Sequence, residues 1–183
     1  MAEHRAFFFV DPATDPREGG PTLRDEKGTL QEYLRAHRLT LELKCAGLDA
    51  EQLARRSVPP STMSLLGLVR HLAHVERVWF RIRCAQQDVP LLYQTPEDPD
   101  GDFNGAVADP AVVEEAWARW REEVAFAEQY VAGCEDLSTT YTHTRTGELF
   151  SMRELLVHMI EEYARHNGHA DFLRECVDGR VGM

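Results

Sequence analysis

The sequence predicts an all-α fold, a four-helix bundle with one long crossover connection. Three observations predict it. Four long segments carry amphipathic helical periodicity. The breaks between them hold proline, glycine and capping residues where helices stop and start. No stretch between them has a convincing β alternation. At 183 residues the chain is long enough for one domain with a sizeable core and short for two. Residues 25–183 are read as that domain, and residues 1–24 as an N-terminal arm.

The arm contains Phe7, Phe8, Phe9 and Val10, apolar enough to tack onto the body, followed by the turn-rich DPATDPREGGP. A first helix is expected over 25–46, with Leu30, Tyr33, Leu34, His37, Leu41 and Leu43 on one side and Gly47 at its end. A linker with a short helical turn leads through Pro59-Pro60 to a second helix, which starts between Ser61 and Ser64 and continues to Cys84. Its apolar side is Leu65, Leu68, Val69, Leu72, Val75, Val78 and Trp79, with His71 and His74 close to it and Glu76 and Arg77 able to pair. Residues 86–109 form the long polar connection, of a length that usually carries function; Tyr93 and Phe103 are candidates to line a cleft beneath it. Asp109 as cap and Pro110 at the first position start a third helix that runs to Ala132 before Gly133. LSTTYTHTRTGELF then suggests a short hairpin or extended segment. Ser151 with Glu154 opens a last helix over 151–176, which Asp178-Gly179 closes. Gly168 is expected to interrupt it, at a cost of about 1 kcal/mol relative to alanine, which close packing or a ligand would offset.

Acidic residues outnumber basic ones 31 to 20, a net charge of −11 that argues against a nucleic-acid partner. There is no signal-peptide pattern, and no apolar run approaches the roughly 18 residues of a membrane span. Cys45, Cys84, Cys134 and Cys176 are too scattered for a zinc knuckle or redox motif. They read as small core or boundary residues in a reducing cytoplasm.

The last helix carries the chemistry. At about 100° per residue, Glu162 lies ~40° round from His158, His166 ~80° and His169 ~20°, so all four side chains leave within one arc. Three imidazoles and a carboxylate on one stripe suit a divalent metal, and a carboxylate facing a core without a partner costs several kcal/mol. The competing arrangement is an ion pair of Glu162 with Arg77 or Arg165, with the histidines as hydrogen-bonded fillers. A third ligand has to come from another helix, where spacing leaves both His71 and His74 open.

GLVRHLAHVERVWF in the second helix and SMRELLVHMIEEYARHNGHADFLRE in the last resemble the two signature segments of the DinB-like superfamily of metal-dependent helical bundles. The resemblance is close in those two helices and loose in the arm, the long connection and the third helix. Relatives include mycothiol-dependent maleylpyruvate isomerase and bacillithiol- or mycothiol-linked S-transferases. It implies metal ligands at His71, Glu162 and His166, with a glutamate where many relatives have histidine. It also implies a divalent metal, zinc before iron or nickel, and a low-molecular-weight thiol such as mycothiol as co-substrate, activated for transfer to, or isomerisation of, a small electrophile. His169 and His74 are then candidate catalytic proton carriers, and Arg174 and Arg165 candidate ligands for a substrate carboxylate. Asp171 is a candidate to orient a histidine. The alternatives are a non-catalytic metal-binding stress-response protein, in which a homodimer would use Trp117 and Trp120 as contact surface, and a metal-hydroxide hydrolase.

Overall fold

The structure, a computed structural model, describes residues 8–18, 24–143 and 145–182. Its elements are α1 (Glu26–Cys45), α2 (Ala50–Ala54), α3 (Leu65–Glu76) with a π-helical continuation (Arg77–Cys84), α4 (Gly101–Asn104), α5 (Pro110–Ala132), the hairpin β1 (Thr140–Thr142) and β2 (Leu149–Ser151), and α6 (Met152–Asp178). The four long helices form the bundle, α1 packing chiefly on α6 and α3 chiefly on α5. The two strands pair antiparallel with Tyr141 opposite Phe150. None of the helices among the described residues is long and apolar enough to cross a membrane.

Local chemistry sets the ends of these helices. The side chains of Asp25, Ser64, Asp109 and Ser151 each accept a backbone N–H from the first turn, satisfying donors that have no partner within the helix. Helix α6 ends at Gly179, whose φ of 79° is the left-handed conformation glycine adopts freely. Two expectations change. Gly168 does not interrupt α6, and a Cβ there would meet nothing within 4 Å, so close packing is not its reason. The second helix does not stay α-helical: past Glu76 it widens into a π-helix, with Ala85 N–H bonded to the carbonyl of Phe80.

The core is built from leucines of α3 and α6, among them Leu66, Leu68, Leu72, Leu155 and Leu156, all at most 1% exposed. Through it runs a polar chain with one member from each long helix. Arg38 of α1 donates from Nε and Nη2 to the two oxygens of Glu76 at the end of α3, both at 2.8 Å. Tyr163 of α6 donates its hydroxyl to Glu76 at 2.9 Å, and Trp120 of α5 donates its indole N–H to the Tyr163 oxygen at 2.9 Å. Trp120 is therefore a core residue, 3% exposed, and does not offer the dimer surface expected of it with Trp117. A second buried carboxylate, Glu123 of α5, takes both Arg77 and Arg81.

Of the apolar arm residues, Phe7 lies outside the described residues and Phe8 is exposed. Phe9 is buried, its ring facing Arg180 at 3.8 Å and Lys44 at 4.0 Å.

Candidate metal centre

His71 sits on the second turn of α3; Glu162 and His166 sit one turn apart on α6. One ligand atom from each of these three lies within 4.8 Å of the other two. Two bonds of about 2.0–2.2 Å to a common cation put their ends up to roughly 4 Å apart, so the set is close to the spacing a metal requires.

The surroundings fit that use. Glu162 has imidazole partners on both sides, His166 Nε2 and His158 Nε2, each at 3.5 Å. Arg77 is engaged with Glu123, and among the described residues neither it nor Arg165 pairs with Glu162. Hydrogen bonding to His166 outweighs partial burial and, with the charges of His158, His166 and His71, holds the Glu162 carboxyl below the usual range. The site is reachable from solvent: the side chains of Glu162 and His71 are 28% and 20% exposed.

A residue that the helical periodicities gave no reason to choose completes the set. Asp102, on the short helix α4 in the long connection, is 1% exposed and places Oδ2 2.8 Å from His71 Nδ1. An aspartate in that contact keeps the proton on Nδ1 and leaves the Nε2 lone pair for a metal. Asp102 is itself held by the Phe103 N–H at 3.0 Å and the Gln94 amide at 3.3 Å. Burial pushes its carboxyl up, but His71 and these two donors outweigh it and leave it below the ordinary value. Arg70 anchors the segment by donating to the carbonyls of Asp102 and Gly101 at 2.8 and 3.0 Å. The approach is tight, since a Cβ on Gly101 would stand 2.1 Å from the Tyr93 carbonyl oxygen. Phe103 covers the other side of His71, its ring stacked at 5.3 Å. Tyr93 has its hydroxyl on Glu115 at 3.0 Å and its ring under Arg70.

The remaining candidates divide. His169 Nδ1 lies 3.3 Å from His166 Nδ1, at the edge of the cluster. His74 is not among the converging groups: it is 6% exposed, its Nδ1 has no partner, and burial holds its imidazole below the ordinary pKa. Arg174, expected to meet a substrate carboxylate, is 3% exposed and instead donates to Asp178 and to the carbonyls of Lys44 and Ala46, closing the end of α1. Arg165 is exposed on α6. Asp171 pairs with Lys44 at 2.7 Å and orients no histidine of the cluster.

A crystal structure of a conserved protein from Enterococcus faecalis has the same fold, with a TM-score of 0.58 at 18% identity over 86% of this chain and 99% of that one. None of the curated proteins compared with the chain matches it. The sequence model of the mycothiol-S-transferases matches residues 29–179, a span that takes in the bundle, the Asp102 segment and all three converging side chains. By that match the chain belongs to the DinB-like mycothiol-S-transferase family.

Proposed function

We propose that this chain is a metal-dependent enzyme that transfers mycothiol, or a thiol like it, to a small electrophile. His71, Glu162 and His166 are its metal ligands. The observation that carries the reading is the convergence of three protein donors, and among the described residues no more than three, at a point open to solvent. A structural zinc site has four protein ligands and is closed; a catalytic one has three and an open position. A divalent cation there, zinc by the nature of the donors, with iron or nickel also accepted, would stabilise a thiolate at neutral pH.

The chain's own residues then have defined tasks. Asp102 fixes the tautomer of His71, and Phe103 shields that ring from water. His169, next to His166, takes the thiol proton. The thiolate sulfur forms a bond to the electrophilic carbon. In a displacement the leaving group departs with its electron pair; in an addition the proton returns to the adduct. His74, buried in the core, takes no part. On this reading the protein acts in the cytoplasm on small-molecule substrates.

The test is a conjugation assay with mycothiol and a panel of electrophiles, on metal-loaded protein and on the His166→Ala variant. Thioether formation by the parent protein that the variant loses supports the reading. A folded, metal-loaded parent protein with no conjugation above the uncatalysed rate overturns it.

A further inference from the structure

We propose that Arg83 and His143, both against Trp79 next to the candidate metal centre, form with Arg145 of the hairpin turn a carboxylate-binding subsite that selects anionic acceptors. The use assigned to the anion rests on the transferase reading; the subsite itself does not.

Trp79 lies on the π-helical continuation of α3. Its ring meets the His158 ring at 4.5 Å, and His158 Nε2 is 3.5 Å from Glu162, so Trp79 borders the metal cluster through one side chain. The Arg83 guanidinium lies over the same indole at 3.9 Å, and His143 meets its edge at 5.9 Å. Arg83 differs from the buried arginines of the bundle. Arg38, Arg77, Arg81 and Arg174 are each bonded to a carboxylate, but Arg83 forms no ion pair among the described residues. Its Nε is shut off from solvent and has no hydrogen-bond partner. A buried donor left without an acceptor costs about 1–3 kcal/mol, which an arriving acceptor would recover.

The hairpin turn adds two more donors. His143 Nδ1 accepts the backbone N–H groups of Arg145 and Thr146 at 3.3 and 3.2 Å, so the neutral ring carries its proton on Nε2 and presents a donor there. The charge of Arg145 is felt by both Arg83 and His143. Burial first, then Arg145, disfavours the Arg83 charge, a repulsion that a bound anion would relieve. Glu148, across the turn, acts on His143 but forms no ion pair with either arginine among the described residues. On a chain with a net charge of −11, a cluster of donors lacking its own carboxylate suits a ligand that brings one. With mycothiol, which carries no carboxylate or phosphate, as the thiol, the anion belongs to the acceptor. Trp79 provides an apolar wall for the body of that acceptor.

Benzoate, with benzamide as its neutral analogue, is the probe. Binding is followed by tryptophan fluorescence and calorimetry on protein stripped of metal and dialysed free of chelator, so that neither a cation nor a competing carboxylate confuses the result. Saturable binding of benzoate is expected, with benzamide at least about tenfold weaker. Arg83→Gln should lower benzoate affinity by about tenfold or more, with Arg83→Lys between it and the parent protein. Arg145→Gln, a change at an exposed turn, should lower it by a smaller factor and stands in if the Arg83 variants do not fold. Equal binding of the two probes, no benzoate binding, or unchanged benzoate binding in both glutamine variants would overturn the subsite. Conjugation of a neutral electrophile without benzoate binding sinks the subsite alone. Benzoate binding without any conjugation sinks the transferase reading alone.

Discussion

Asp102 Oδ2 and His71 Nδ1 are 2.8 Å apart, although the residues are 31 apart in sequence and one of them lies in a polar connection. The contact joins the long connection to the candidate metal centre. Replacing Asp102 with alanine frees the His71 ring to rotate and to change tautomer. Metal affinity, read by competition with a chromophoric chelator, should fall about 10–100-fold. Asp102→Asn keeps an acceptor without the charge and should fall between the two.

Glu76 ties the four long helices together, through Arg38 directly and through Tyr163 to Trp120. Glu76→Gln leaves the buried Arg38 guanidinium only the exposed Glu128 carboxylate, at 3.6 Å, as counter-charge, and should cost about 3 kcal/mol. Tyr163→Phe breaks two hydrogen bonds and leaves no charge unpaired; it should cost about 1–3 kcal/mol. Urea unfolding of the two variants should rank them in that order, and neither lesion touches a candidate metal ligand.

His37 of α1 gives the bundle a pH dependence of its own. Burial holds its imidazole below the ordinary value, and its carbonyl accepts the Asn167 side-chain N–H at 2.9 Å. The folded state therefore favours neutral His37, while the unfolded chain takes up the proton at about pH 6.5. Its contribution to stability is complete above that value and shrinks as pH falls through it towards the lower folded-state pKa. The stability difference between pH 7.5 and pH 5.5 should be smaller in His37→Gln than in the parent protein, measured by unfolding of metal-free samples. An unchanged difference would contradict the assignment.

The thiols should react in the order of their surroundings. Cys45 and Cys84 are buried, and burial pushes both up to about 12. Cys176 is exposed on α6. With an aromatic disulfide reagent at pH 8, Cys176 should label first in the native protein, and Cys45 and Cys84 only on unfolding.

What short-range chemistry determines was legible in the sequence. The Asp109-Pro110 start of α5, the Ser151 cap and Gly179 end of α6, and the stripe holding Glu162 and His166 depend on neighbours within a turn. His71 emerged over His74 only through the resemblance of the second helix to a known motif, because both face the core side. Asp102 was not legible, since nothing in a run such as EDPDGDFN marks which acid folds back under a histidine. The π-helical stretch after Glu76 was equally silent. Arg77 and Arg81 converge on Glu123 there by tertiary contact, not by local preference.

The central claim is that His71, Glu162 and His166 bind one cation together. Its most direct test is zinc titration of metal-free protein by calorimetry, with elemental analysis of the product, for the parent protein and for His71→Ala, Glu162→Gln and His166→Ala. The geometry predicts one equivalent bound per chain, and affinity weakened at least about tenfold in every variant. Clearly less than one equivalent, or equal affinity in parent and variants, would contradict it.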